Sequence, residues 1–121
     1  CLYGIGDLQK LATDTHKFES KYLDTLIGDP LNQQETYQQR SPVNHIDDIN
    51  CPVIFLQGLK DKVVPPSQSQ SMVDKLIRKN IAVEYVTFKD EGHGFKKPKN
   101  IEVALTRELL FYLNVLSLNQ Q

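Results

Sequence analysis

An aspartate and a histidine each lie in a loop that directly follows an apolar segment. Asp61 follows residues 52–57, and His93 follows residues 82–88 within a Gly-His-Gly run. A buried aspartate that bonds one imidazole nitrogen fixes the tautomer of the ring, which leaves the other nitrogen free to take a proton from a nucleophile. Asp61 and His93 are therefore candidates for the acid–base pair of an acyl-transfer site. We expect the two flanking glycines to allow tight or left-handed backbone angles around the histidine.

The elements around these two loops predict how they meet. Residues 52–57 form an apolar run that ends on Gln57 and is rich in β-branched and aromatic side chains, which is typical of a strand buried in a parallel sheet. A helix that starts in a capping box at Ser67 and ends near Asn80 follows, and residues 82–88 form the next strand. Because a right-handed crossover leaves both strands parallel, their carboxyl ends share the edge where active sites of open α/β sheets lie.

The rest of the chain predicts further elements around this unit. They are a short strand over residues 2–5, a helix from an N-cap at Asp14 to about residue 27, a polar helix over residues 33–39 capped by Asn32, a connector over residues 41–51, and a last helix from about residue 100 to 116. The last helix is apolar over more than half its circumference, so we expect it to lie between the sheet and another layer. The predicted fold class is α/β, with parallel strands and flanking helices.

The nucleophile is missing from the pattern. No serine of the chain stands in a G-x-S-x-G elbow, and in α/β-hydrolases the triad serine precedes the aspartate and the histidine along the chain. The sequence also opens on Cys1, and its only methionine is Met72. We therefore predict that residues 1–121 are the C-terminal piece of a longer protein whose upstream strands carry the serine. A simpler interpretation remains open, since an aspartate after a strand is often a turn former and a Gly-His-Gly run can be a plain turn.

Composition narrows the class of protein. The 121 residues have 40% hydrophobic and 24% charged side chains and a formal net charge of -1, which is ordinary for one soluble domain. There is no basic stripe for nucleic acid, no membrane-length apolar run and no signal-peptide pattern. Two cysteines are too few for a disulfide framework, and Cys51 is expected to be a buried thiol, which favours a cytoplasmic setting. His45 lacks a second ligand at metal-binding spacing, so a solvated loop is favoured over a metal site.

Longer motifs add a family resemblance that covers nearly the whole chain. They are the run from Tyr3 to Leu8, the segment from Thr15 to Leu23 with Tyr37 and Arg40-Ser41-Pro42, the strand Pro52 to Gly58, Asp61 with Val64-Pro65-Pro66 and Gln68, and Glu91-Gly92-His93-Gly94-Phe95. Together they resemble the catalytic domain of prolyl oligopeptidase-family serine peptidases, in the acylaminoacyl-peptidase and dipeptidyl-aminopeptidase branch. The resemblance implies the C-terminal portion of an α/β-hydrolase fold with an incomplete sheet.

The resemblance also implies an activity and roles for two residues. Asp61 and His93 match the triad aspartate and histidine of a peptidase that releases acylated amino acids or short peptides and needs no metal or organic cofactor. The family's serine matches nothing in this chain, so we expect the isolated chain to be inactive. Two other functions stay open: an esterase or lipase on the same fold, and a non-catalytic module whose exposed sheet edge pairs with another chain, including a second copy.

Overall fold

The computed structural model describes residues 1–14 and 20–117, and a βαβ unit lies at its centre. Strands β1 (Val53–Gly58) and β2 (Val83–Phe88) pair in parallel, with Val53 opposite Val83 and Gly58 opposite Phe88. Helix α4 (Pro66–Arg78) makes the crossover between them. The prediction of parallel strands with flanking helices is confirmed. The two loops that carry the candidate pair therefore leave the sheet at the same edge.

The first three residues extend this sheet on its other side. The backbone nitrogen of Cys1 donates to the carbonyl of Ile54 at 2.8 Å, and the Leu56 nitrogen donates to the carbonyl of Cys1 at 2.9 Å. The Tyr3 nitrogen then donates to the carbonyl of Leu56 at 2.9 Å. Strand β1 thus has a neighbour on each side. Within residues 1–14 and 20–117, the outer edges of β2 and of residues 1–3 have no strand partner, so the sheet is incomplete as predicted.

Alternate residues of β1 pack against helices on opposite faces of the sheet. Phe55 faces α4, where it forms a buried cluster with Met72 and Leu76. Ile54 and Leu56 face α5 (Pro98–Val115), where they pack with Phe88 and Ala104. The remaining helices are α1 (Leu8–Asp14), α2 (Ser20–Leu26) and α3 (Gln34–Arg40), followed by two 3-10 turns at Pro42–Asn44 and Ile46–Asp48.

Helix α5 has a buried side and an exposed apolar side. Ala104 is its one buried residue among those described, whereas Leu105 is 62% exposed and Leu109 is 58% exposed. The sheet-facing half of the prediction for this helix is confirmed. A second layer over the outer face stays a prediction. The helix begins at Pro98, two residues before the expected start. Proline is favoured at the first helical position because it has no N–H, and an N–H there would have no partner within the helix.

Several predicted helix starts are wrong. Asp14 is the last residue of α1 and not an N-cap, because its helix already begins at Leu8. Helix α4 begins at Pro66, before Ser67, and the residue preceding α3 is Gln33; neither helix has a side-chain cap hydrogen bond. Proline occupies the first position of α4, and the side chain of Asp7, not Asp14, accepts the Lys10 N–H at the start of α1.

Three further predictions have mixed outcomes. Asn80 has a φ of 61°, so the left-handed end of the helix is confirmed. Ser41 is extended and stops α3 in front of Pro42, as expected. Cys51 was predicted to be buried and is exposed, because it precedes the first strand residue and lies outside the sheet. Phe18, which was expected to contribute to a packing stripe of the first long helix, lies outside the described residues.

The helical first part of the chain is attached to the βαβ unit through α4. Leu11, Leu23 and Tyr37 form a separate buried cluster that joins α1, α2 and α3. The side chain of Gln68 in α4, which is fully buried, accepts the backbone N–H groups of Gly6 and Asp7 at 3.0 and 2.7 Å. This attachment places α1 and α2 beside the edge of the sheet that carries the two candidate loops.

Candidate active site

The structure brings the carboxylate of Asp61 and the imidazole of His93 together. Oδ2 of Asp61 lies 3.0 Å from Nδ1 of His93. The Asp61 side chain has no exposed surface, while 38% of the His93 side chain is exposed. With Asp61 ionised, the Nδ1–H group is the donor and Nε2 keeps a free lone pair. The pair can therefore take a proton at Nε2 and stabilise the resulting imidazolium through the buried carboxylate.

Backbone amides fix the orientation of the Asp61 carboxylate. Oδ1 accepts hydrogen bonds from the nitrogens of Val63 and Val64 at 2.9 and 2.8 Å, which closes the loop after β1 around the side chain. Oδ2 faces His93 and also lies 3.4 Å from Nε2 of Gln57. Asp61 thus acts as turn former and imidazole partner at once, so the two interpretations left open from the sequence are compatible.

The histidine loop lies directly against the end of β1. The nitrogen of Lys60 donates to the carbonyl of Glu91 at 2.9 Å. A Cβ atom at Gly58 would lie 2.4 Å from the carbonyl oxygen of Gly92, so only glycine permits this approach. Gly94 has a φ of 84°, as expected for a left-handed position, whereas Gly92 is not left-handed and contributes by its close backbone contact.

Glu91 ties the histidine loop to the start of α5. Its side chain is buried and accepts the backbone N–H groups of Lys96 and Lys97 at 3.1 and 2.9 Å, and the amide of Asn100 at 2.8 Å. The Asn100 hydrogen bond, followed by those of Lys97 and Lys96, holds the pKa of the Glu91 carboxyl below its ordinary value. The loop is consequently clamped by an ionised carboxylate two residues before His93.

Tyr3 packs its ring on the imidazole. The ring centroids of Tyr3 and His93 are 4.9 Å apart at an interplanar angle of 61°, and the ring of Phe95 lies 5.6 Å from Tyr3 on another side. Tyr3 has a φ of 40°, a region that residues with a Cβ seldom adopt and that is often found at functional sites. This backbone conformation places the Tyr3 ring in contact with the imidazole of His93.

An apolar pocket of about 720 Å³ opens beside His93. Its walls come from the N-terminal segment, from α1 and α2, and from the loop after Asp61. The residues that line it include Tyr3, Leu8, Leu11, Tyr22, Leu26 and Val63. An apolar pocket that reaches a proton-accepting imidazole can hold the side chain or acyl group next to a bond that is being cleaved.

No serine hydroxyl among the described residues is hydrogen-bonded to His93. The hydroxyl of Ser41 donates to the carbonyl of Tyr37, and that of Ser69 donates to the side chain of Gln57. Within the described ranges no three metal-binding side chains cluster, and His45 instead contacts the carbonyl of Gln39 at 2.6 Å. None of the helices described is both long and apolar enough to cross a bilayer.

Sequence reasoning paired Asp61 with His93, whose side chains are in contact in the structure, but missed the residues around them. Tyr3, Gln57, Glu91 and the backbone of Val63 all contribute to the site, and none of these roles was predicted. Gln57 carried a readable signal, because a polar side chain at the end of the apolar run in β1 needs a buried partner. The contact of Tyr3 had no such signal, since it depends on a pairing between residues that are far apart in sequence.

Comparison with known proteins places these features in context. The family model described as "Prolyl oligopeptidase family" matches residues 1–119. A puromycin-hydrolyzing peptidase from Mycobacterium tuberculosis is 45% identical, with a TM-score of 0.91 over 95% of this chain and 18% of that chain. A puromycin hydrolase structure is 38% identical, with a TM-score of 0.90 over 96% of this chain and 18% of the other.

A curated relative agrees with these matches. Dipeptidyl aminopeptidase BIII from Pseudoxanthomonas mexicana is 33% identical over 104 residues, which are 82% of this chain and 15% of that protein. The chain therefore spans less than a fifth of the length of the relatives that it matches.

Proposed function

The chain belongs to the prolyl oligopeptidase family of hydrolases, and on that premise we propose that it supplies the acid–base half of a serine peptidase. The observation that carries this proposal is the buried Asp61 carboxylate 3.0 Å from Nδ1 of a half-exposed His93. Such a pair needs only a serine hydroxyl at Nε2 and donors for the oxyanion to complete an acyl-transfer site.

The proposed reaction proceeds through an acyl-enzyme. His93 Nε2 removes the proton of a serine as its oxygen attacks the carbonyl carbon of the substrate. The imidazolium, stabilised by Asp61, then gives that proton to the leaving amine as the C–N bond breaks. Water repeats the sequence on the ester that remains and releases the acid. No metal or organic cofactor enters these steps.

We place the serine and the oxyanion donors in a part of the polypeptide outside these 121 residues. Support comes from the serines that the structure describes, whose hydroxyls do not bond His93, and from the Ser-Asp-His order of α/β-hydrolases. We accordingly propose that the isolated 121-residue chain does not turn over substrate. The full polypeptide that contains it would do so.

The substrate class follows from the pocket and from the names of the relatives. A cavity of about 720 Å³ with apolar walls beside His93 suits a large apolar side chain next to the scissile amide. Two relatives are named for dipeptidyl aminopeptidase activity and for puromycin hydrolysis. We propose that the full polypeptide releases short peptides or acylated amino acids that carry an apolar residue at this pocket.

Hydrolysis assays with the full polypeptide test this function. Chromogenic dipeptidyl and N-acyl-aminoacyl amides are compared with p-nitrophenyl esters of fatty acids, and each assay is repeated with the 121-residue chain alone. Amide turnover by the full polypeptide and none by the isolated chain is the expected result. Turnover of the fatty esters without any amide hydrolysis would replace the peptidase proposal with an esterase.

Two further expectations stay proposals. The outer edge of β2 has no partner strand in the described part of the chain, and we propose that it pairs with a second copy. Sedimentation of the full polypeptide would give a dimer mass if so, and a monomer at all concentrations would contradict it.

We also propose a cytoplasmic setting, because Cys1 and Cys51 are both free thiols at the surface.

A further inference from the structure

Gln57 is a fully buried polar side chain at the end of the apolar strand β1. A buried amide without hydrogen-bond partners is destabilising, so a glutamine here requires a specific polar environment. Valine, isoleucine, phenylalanine and leucine occupy the four preceding positions of the strand. The environment that Gln57 contacts is the one around the Asp61 carboxylate.

Three acceptor oxygens surround the amide nitrogen of Gln57. Nε2 lies 3.1 Å from the carbonyl of Gly58, 3.3 Å from the carbonyl of Val64 and 3.4 Å from Oδ2 of Asp61. On the other side, Oε1 accepts a hydrogen bond from the hydroxyl of Ser69 at 2.8 Å, and Ser69 is itself buried. A flipped amide would place its oxygen against three oxygens, so these contacts fix which way the group points.

The hydrogen-bonded chain therefore runs from α4 through β1 to the site. We propose that Gln57, oriented by Ser69, is a positioning residue that donates to the same Asp61 oxygen that receives His93. This inference rests on the proposed function, in which the Asp61–His93 pair is the acid–base device. It goes beyond that function because it gives the buried Gln57 amide a role in orienting the Asp61 carboxylate and in setting how tightly His93 holds its proton.

Two effects follow from a neutral donor on Oδ2. The donor holds the carboxylate plane so that Oδ2 stays toward the imidazole, together with the Val63 and Val64 amides on Oδ1. It also withdraws part of the negative charge that would otherwise stabilise the imidazolium. Removing the donor while Oδ1 stays anchored should consequently make His93 hold its proton to higher pH, and turnover should fall because the carboxylate is less well oriented.

The direct readout is the titration of His93 in the full polypeptide, followed by NMR of labelled histidine and assigned with a His93→Ala sample. In Gln57→Leu we expect the midpoint to rise by about 0.5–1 pH unit. The acid limb of the pH profile of kcat/KM should move to higher pH by the same amount. The plateau value of kcat/KM should fall about 3- to 10-fold. Ser69→Ala, a smaller change, should shift both in the same direction by less.

Two matched variants separate this role from a general loss of a buried hydrogen bond. Gln68→Leu removes a fully buried glutamine of α4 that bonds Gly6 and Asp7, and Ser41→Ala removes a buried serine that bonds Tyr37. Both should lower the unfolding temperature and leave the His93 midpoint in place. If Gln57→Leu does not fold, the test is the His93 midpoint of Ser69→Ala compared with that of Ser41→Ala. Only Ser69→Ala should shift it.

A His93 midpoint that stays or falls in Gln57→Leu or Ser69→Ala would overturn the inference. The NMR midpoint does not depend on turnover, so this outcome is distinct from failure of the proposed function. Full activity of the His93→Ala polypeptide would overturn the proposed function, whatever the Gln57 variants show.

Discussion

The sheet edge that carries Asp61 and His93 and the apolar pocket beside it are built in opposite ways. The edge comes from one continuous βαβ unit, and its buried carboxylate is bonded on both oxygens. The pocket takes its walls from several separate segments, and some of them are open: Tyr22 is 66% exposed and Leu26 is 56% exposed. Directional contacts thus dominate one region and apolar surface dominates the other.

This difference predicts what each region controls. Proton transfer depends on distances and angles, so small displacements at the edge should act mainly on kcat. Contact with an apolar wall depends on area and is non-directional, so changes in the pocket should act on KM and on substrate choice. Variants of the full polypeptide test this division.

The largest effect is expected from Asp61→Asn. An amide of the same shape keeps the loop but offers His93 no negative charge, and it favours the wrong imidazole tautomer. We expect kcat to fall about 10³- to 10⁴-fold with KM changed little, measured on the best amide substrate. A loss below tenfold would show that Asp61 is only the turn former of its loop.

A smaller effect on the same edge is expected from Gly58→Ala. Its new methyl group would meet the carbonyl oxygen of Gly92 at 2.4 Å, so the histidine loop must move away from β1. We expect kcat to fall roughly 10- to 100-fold, because a displacement near 1 Å costs about this much in an active site. Gly28→Ala, at a left-handed glycine outside the histidine loop, is the control: it should lower stability without a selective loss of kcat.

The smallest effect is expected in the pocket, from Leu26→Gln. Leu26 is half-exposed in the pocket wall, so the change removes apolar contact with little cost to folding. KM for substrates with a large apolar residue should rise about 3- to 10-fold while kcat is kept. Leu31→Gln, at a leucine that is 79% exposed and outside the pocket, should change neither constant. A fall in kcat with constant KM would contradict the division between edge and pocket.

The same contrast explains how much the sequence could predict. The pair at the edge was predictable because each residue follows a strand with a strong apolar signal, and the crossover rule fixes the direction of both strands. Asp61 and His93 could be placed on one edge without any knowledge of their side-chain contacts. Their distance of 3.0 Å needed the structure, because it depends on the Gly58 contact with the histidine loop.

The pocket was not predictable for a physical reason. Its walls join Tyr3, Leu11 and Val63, which belong to segments far apart in sequence. The predicted start of a helix at Asp14 also hid α1, whose residues Leu8 and Leu11 line the cavity. Local patterns describe one element at a time, whereas a cavity is defined by how several elements pack.

Labelling of the full polypeptide by a fluorophosphonate probe tests the central claim most directly. The probe reacts with a serine only when a neighbouring base removes the proton of its hydroxyl. We predict that His93→Ala slows labelling by about 10³-fold or more, with an unchanged unfolding temperature. Labelling at the wild-type rate in the His93→Ala protein would contradict the assignment of Asp61 and His93 as the acid–base half of a serine peptidase.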